Sequence, residues 1–170
     1  SSIQEPLDAS VIDGLVDFLS DSVAPIDDID WNFDTLPYID MVRIAERELG
    51  IRAPHYQVLR AERKEGCLQN CGYLGERAVL YLTSLGIGTH WLGSVTIGED
   101  FPDTLPYVIA IAFGRSEEAF RSASDLQKLT RFPMKKICYG QYQPFQSMIE
   151  AARLAPSAYN RQPCVYLGDD

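Results

Sequence analysis

Ala155-Pro156-Ser157-Ala158-Tyr159-Asn160-Arg161-Gln162-Pro163 is the stretch on which the reading of this chain turns. It follows directly on a helical pattern, and Pro156 predicts where that helix stops, because proline has no amide hydrogen and its ring clashes with the preceding turn. The loop that follows is dense in hydrogen-bonding side chains: Ser157, Asn160 and Gln162. Asparagine and glutamine carry donor and acceptor on one flat amide, which suits them to the edge of a planar heterocycle that also mixes donors and acceptors. A flat ligand is the expectation. By residue type alone a structural role stays open, since Ser157 can cap a turn and Asn160 tolerates left-handed backbone.

Working outward, residues 144–155 read as the helix before the loop, with Pro144 at its start and Phe145, Met148, Ile149 and Ala152 on one face. Residues 164–167 begin a strand, and the sequence ends at Asp170 with no partner element, so the chain is expected to be a fragment or to have a further tail. Residues 115–143 are charged and irregular. Residues 107–113, Tyr-Val-Ile-Ala-Ile-Ala-Phe, form a continuous apolar run closed by Gly114, the pattern of a central strand buried on both faces. Residues 70–85 give the clearest helix, with Leu74, Ala78, Tyr81, Leu82 and Leu85 on one face and Gly86 as its stop. Residues 87–93 read as a strand running into a glycine turn, and residues 55–61 as a strand after Pro54.

Nearer the start, residues 8–20 predict a helix with Ile12, Leu15, Val16 and Leu19 on one face and Asp8 or Ser10 as its cap. The connection 21–37 holds a short strand candidate at Trp31 to Phe33. Residues 38–49 are ambiguous: Ile39, Val42, Glu46 and Leu49 fit a helix poorly, and Met41 to Ala45 could be a strand. The class implied is α+β, a central, mostly antiparallel or mixed sheet flanked by helices. A faint repeat runs through it, because helix, Ala-Pro, loop and strand occur at Ala24-Pro25 and again at Ala155-Pro156. The first copy lacks the Ser-x-x-Asn-x-Gln pattern, and chance similarity of two common supersecondary pieces is the competing account.

Composition narrows the function. The 170 residues are 46% hydrophobic, enough for a domain of ordinary size with a real core. No run of about 18 apolar residues predicts a membrane span, and the first residues lack the basic and apolar regions of a signal peptide. A net charge of −9 repels nucleic acid and anionic lipid, so neither is an expected partner. It also leaves any phosphate ligand dependent on a few local donors. The acidic run Asp21, Asp27, Asp28, Asp30 and Asp34 reads as a solvated loop. Cys67, Cys71, Cys138 and Cys164 are scattered, which predicts reduced thiols in a cytoplasmic protein. Neither His55 nor His90 completes a metal set with them, so no metal is expected. His90 reads as hydrogen-bonded or exposed, Glu76 and Arg77 as solvated, and Arg161 as exposed by default with a phosphate or substrate contact open to it; no side chain is singled out as catalytic.

Three stretches carry a resemblance to a known family. They are Glu150-Ala-Ala-Arg-Leu-Ala-Pro-Ser-Ala-Tyr-Asn-Arg-Gln-Pro163, the helix and turn from Asn70 to Gly93, and Ile111-Ala-Phe-Gly-Arg115. In these the chain resembles the FMN-dependent nitroreductase superfamily, in the branch of single-chain proteins whose two halves mimic the usual dimer. The resemblance implies residues 1–143 as a first half and 144–170 as the start of a second. It implies that Pro156, Ser157, Asn160 and Gln162 line the flavin. It implies that Trp91, Leu92 and Gly93 approach the reactive face of its ring, where glycine permits a close backbone approach. The implied activity is ping-pong reduction of a nitroaromatic or quinone-type small-molecule acceptor, with FMN as cofactor and NAD(P)H as co-substrate, in a homodimer or single-chain pseudo-dimer. The cofactor then carries the chemistry, and the protein orients it.

The chain departs from the family pattern in three places. No arginine precedes Arg43 where an Arg-x-Ser-x-Arg phosphate clamp usually opens the family's sequence, no basic residue of the usual kind closes it, and Cys164 stands where tryptophan commonly follows Gln-Pro. The phosphate-binding residues are therefore expected outside residues 1–170. A non-catalytic binder of flavin or another flat ligand is the alternative function. A third class, an interaction protein whose loop is only structural, predicts that Asn160→Ala alters stability and no ligand affinity.

Overall fold

Tyr107–Arg115 (β4) lies between two antiparallel neighbours, and this pairing organises the first part of the chain. The computed structural model describes residues 5–98, 105–116 and 130–168. Residues 117–129, within the stretch read as charged and irregular, lie outside the described residues. The chain divides into two compact units, Ser1–Glu118 and Ala119–Asp170.

The first unit is built on a four-stranded sheet in the order β1-β2-β4-β3, where β1 is Trp31–Pro37, β2 is His55–Ala61 and β3 is Ile87–Trp91. Every pairing is antiparallel. The apolar run at 107–113 therefore does form an inner strand. Side chains alternate across a strand, so the inner strands feed two cores. Tyr56, Val58, Ala110 and Ala112 pack with Met41, Leu49 and Leu92 in one. Phe113 packs with Leu15, Leu19, Ala78 and Leu82, and Leu59 and Ala61 with Cys71 and Leu74, in the other. That second core is covered by α1 (Ala9–Ser20) and α3 (Cys67–Ser84).

Leu15 and Leu19 of α1 are fully buried, while Ile12 and Val16 flank them half-buried. Asp8 precedes α1, but its side chain makes no capping bond. The ambiguous stretch after β1 is a helix, α2 (Tyr38–Ile44), and not a strand. Only Met41 of α2 is buried, so one anchoring residue against the sheet outweighs its poor helical periodicity. Helix α3 starts three residues earlier than its apolar pattern. Gly66 caps it at φ 93°, a left-handed conformation that glycine adopts without penalty. At its other end Gly86 has φ 74°, as its place after the helix predicts.

Two buried polar groups hold the loops. Asn70 accepts from the Ile26 amide at 2.9 Å and donates to the Ile26 carbonyl at 2.8 Å. Arg60, 6% exposed, donates to Asp34 Oδ2 at 3.0 Å. Asp34 thus stands on β1 as half of an ion pair, which corrects its reading as part of a solvated acidic loop. Asp21, Asp27, Asp28 and Asp30 are exposed.

In the second unit, α4 (Met134–Ile137) leads into β5 (Cys138–Gly140), which pairs in parallel with β6 (Tyr166–Gly168). Between them come a short 3₁₀ turn, Gln143–Phe145, and α5 (Gln146–Leu154). Of the four residues expected on the buried face of α5, only Ile149 is buried; Phe145 and Met148 are 55% and 69% exposed. Ile137, Cys138 and Ile149 form this unit's small core. Among the described residues, no helix is long and apolar enough to cross a membrane.

Candidate functional site

The loop after α5 is bent by its own backbone. Pro156 follows the helix, and Ala158–Asn160 form a 3₁₀ turn. Tyr159, Asn160 and Gln162 have φ of 52°, 54° and 48°. Left-handed backbone costs a residue with a Cβ about 1–2 kcal/mol, so three such residues in one loop need outside support.

The polar side chains supply it. Ser157 Oγ accepts the Gln162 amide at 2.9 Å, and the Ser157 carbonyl accepts the Asn160 amide at 2.9 Å. Asn160 Nδ2 donates to the Thr130 carbonyl at 3.1 Å, while its Oδ1 accepts from Arg131 Nη1 at 3.0 Å. Gln162 Oε1 accepts the Phe132 amide at 2.7 Å, and its Nε2 donates to the carbonyls of Asn160 and Thr130. Both flat amides therefore face the chain's own backbone at 130–132. Outward the loop presents Tyr159, 92% exposed, with the Arg161 guanidinium 5.6 Å from its ring centroid. Behind it lies a recess of about 60 Å³, lined by Arg153, Ser157, Gln162, Cys164 and Tyr166 among others.

The turn after β3 belongs to the first unit. Trp91 is half-buried and ends the strand, and Leu92 is buried with its amide donating to the Ala110 carbonyl at 2.9 Å. Gly93 is exposed, and among the described residues other than its chain neighbours no atom lies within 4 Å of where a Cβ would stand on it. Trp91 points to α3, where its ring fills the space a side chain on Gly75 would need. His90, on the other face of the strand, is exposed.

The structure thus brings Pro156, Ser157, Asn160 and Gln162 together in one loop of the second unit, and Trp91, Leu92 and Gly93 together in one turn of the first. Among the described residues, no group of three or more His, Cys, Asp or Glu side chains could hold a metal ion.

The profile of the family described as "Putative TM nitroreductase" matches residues 3–170. The chain belongs to this nitroreductase family. Solved structures share the fold. A "putative nitroreductase" of Thermotoga maritima aligns at TM-score 0.59 and 23% identity, over 99% of this chain and 68% of that one. A nitroreductase family protein of Clostridium difficile aligns at TM-score 0.60 and 14% identity, over 81% of this chain and 88% of that one. An FMN-dependent nitroreductase of the same species aligns at TM-score 0.53 and 16% identity, over 74% and 88%. A search of curated proteins finds no match. The mixed α+β class with an antiparallel sheet is the nitroreductase fold, and membership places the chain among oxidoreductases.

Three features of this nitroreductase chain escaped the sequence reading. Glu76, which reads as solvated on its helix, is half-buried beside Trp91; burial raises its carboxyl pKa, and the indole N–H bonding to it works in the opposite direction. Arg77, which reads the same way, donates from Nε to Ser22 Oγ at 3.1 Å and lies 4.8 Å from the Phe18 ring centroid. The glycine at 75, in mid-helix, was the available signal, because it marks a close neighbour. The third feature is charge: residues 130–168 hold Arg131, Lys135, Lys136, Arg153 and Arg161 against one acidic residue, Glu150, in a chain of net charge −9. The total charge masks this local excess.

Proposed function

We propose that the chain is part of an FMN-dependent NAD(P)H oxidoreductase acting on nitroaromatic or quinone-type acceptors. The observation that carries this reading is the family match over residues 3–170; the FMN-dependent relative of the same fold supports the choice of cofactor. When bound, FMN supplies a two-electron redox centre that serves NAD(P)H and the acceptor alternately, in ping-pong order.

The residues present fit such a group. Gly93 is exposed, and among the described residues other than its chain neighbours no atom lies within 4 Å of where its Cβ would stand, which suits a close backbone approach. The 156–162 loop has its shape set by internal hydrogen bonds, so Asn160 and Gln162 serve the ring by holding the loop, with Pro156 and Ser157 in its first turn. Trp91 and Leu92 anchor the turn that ends in Gly93. No side chain is required as acid or base.

The further proposals follow the family: a homodimer or single-chain pseudo-dimer, with residues 1–143 as one half and 144–170 opening the next. Free thiols at Cys67, Cys71, Cys138 and Cys164 suit a reducing, cytoplasmic setting.

Titration of the full chain with FMN, followed by flavin absorbance and NAD(P)H oxidation with a quinone, tests the reading. Uptake with turnover is expected, and no uptake sinks it. A second reading, a flavin-binding protein without turnover, draws support from the inward-facing amides of Asn160 and Gln162. Uptake with no NAD(P)H oxidation across several acceptors would select it.

A further inference from the structure

The segment 130–132 is the surface on which the loop is cast. Its Thr130 carbonyl accepts from Asn160 Nδ2 and Gln162 Nε2, and its Phe132 amide donates to Gln162 Oε1. The Phe132 carbonyl accepts from Arg153 Nη1 at 3.2 Å. One side chain of the segment reaches both ends of the bend. Arg131 Nη2 donates to the Leu154 carbonyl, at the end of α5, at 3.1 Å, and Arg131 Nη1 donates to Asn160 Oδ1 at 3.0 Å. Nη1 also reaches the Thr130 carbonyl at 3.2 Å.

We propose that Arg131 is the positioning residue of the 156–162 loop, a guanidinium fork that fixes the helix end and the left-handed Asn160 relative to each other. The proposal rests on the reading of that loop as the flavin loop. Arg131 acts through Asn160 and has no assigned contact with ligand.

Three observations carry it. First, the loop holds three left-handed residues that are not glycine, and these persist only where surrounding bonds over-determine them. Second, the fork geometry is what the two acceptors need. The carbonyl of Leu154 and the amide oxygen of Asn160 are taken by two nitrogens of one rigid planar group, which a lysine's single ammonium nitrogen does not reproduce. Third, Arg131 Nε is buried with no hydrogen-bond partner among the described residues. A buried donor left unpaired opposes this placement, so the two terminal nitrogens are what hold the side chain there.

A charge role and a positioning role separate cleanly. If Arg131 only supplied positive charge to an anionic ligand, lysine would serve. If it positions the loop, Arg131→Lys fails as Arg131→Ala does. The amides of Asn160, Arg161 and Gln162 report the loop directly, because each is hydrogen-bonded within it.

The test is hydrogen exchange of residues 157–162 in the full chain without flavin, for wild type, Arg131→Ala, Arg131→Lys and Asn160→Gly. Glycine at 160 keeps the left-handed backbone and removes the side-chain amide, with both its bond from Arg131 and its bond to the Thr130 carbonyl. Exchange about tenfold or more faster in all three variants is expected, together with weaker FMN uptake. Wild-type exchange in Arg131→Lys overturns the proposal in favour of a charge role. Unchanged exchange in Asn160→Gly overturns it even if the arginine variants do not fold. Failure of the wild type to take up FMN sinks the flavin reading alone, since the exchange rates still decide the role of Arg131.

Discussion

The indole of Trp91 lies directly against Gly75 of α3, in the space a side chain there would occupy. A Cβ at residue 75 would stand 2.9 Å from Trp91 Cζ3 and 3.1 Å from Leu59 Cδ1, with the ring's Cη2 closer still. The strand that ends in the proposed flavin turn is thereby locked to the long helix by an absent side chain. Gly75→Ala gains about 1 kcal/mol of helix propensity but drives a methyl into a ring backed by sheet. A net destabilisation of up to about 2 kcal/mol is expected, since overpacking a core costs about 1–3 kcal/mol. Urea unfolding measures it. Trp91→Phe makes room, so the double variant should lose less than the sum of the two singles; strict additivity would count against the contact.

The clamp of Asn70 on Ile26 is the second point of attack. Asn70 is fully buried and satisfies both polar groups of one peptide residue from another part of the chain. Asn70→Ala leaves that amide and carbonyl without a partner, at a cost of about 2–3 kcal/mol. Asn70→Asp keeps an acceptor and loses the donor, so it should unfold at an intermediate urea midpoint only when its carboxyl is protonated and again able to donate.

His55 makes the first unit sensitive to mild acid. Its Nε2 accepts the Leu7 amide at 3.0 Å, and its ring stacks on Phe113 at 5.5 Å. Burial lowers its pKa below the usual 6.5. The folded state then binds its proton less readily than the unfolded state, so stability is full above 6.5 and declines as pH falls below it toward the folded value. Protonated Nε2 cannot accept, and the Leu7 bond is lost with it. Urea midpoints at pH 7.5 and 5.5 should differ for wild type and differ less for His55→Asn. An equal slope in both would remove His55 as the cause.

Two of the four thiols should differ sharply in reactivity. Cys71 is 1% exposed, and burial, with a smaller effect from Cys67, pushes its thiol up to about 11. Cys164 is exposed. Since the thiolate is the reacting form, brief alkylation of the native chain at neutral pH, read by peptide mass, should label Cys164 and spare Cys71 until urea is added. Labelling of Cys71 in the native chain would show that α3 is not packed as described.

Much of the molecule was legible in its residue pattern, for a physical reason. β4 is read from an apolar run closed by glycine, β2 from its place after Pro54, α1 and α3 from apolar spacing, and the end of α3 from Gly86, because these signals depend on neighbours in sequence. α2 was not legible, since one buried residue, Met41, holds it against a sheet formed by distant strands. The buried faces differ where tertiary contacts assign them: Phe145, in the turn before α5, and Met148 on α5 stay exposed, and Glu76 and Arg77 turn inward on α3.

The 155–163 stretch divides along the same line. Its sequence alone determined that a helix stops at Pro156, that a polar loop follows, and that the chain resembles the nitroreductases. Only the tertiary structure decided where its amides point. Asn160 and Gln162 have the donors and acceptors to read a heterocycle, but the backbone at 130–132 lies within hydrogen-bonding reach and takes them. Residue type sets what an amide can bond to. The partner it meets depends on segments about 30 residues apart along the chain, as the spacing of Gln162 from Phe132 shows.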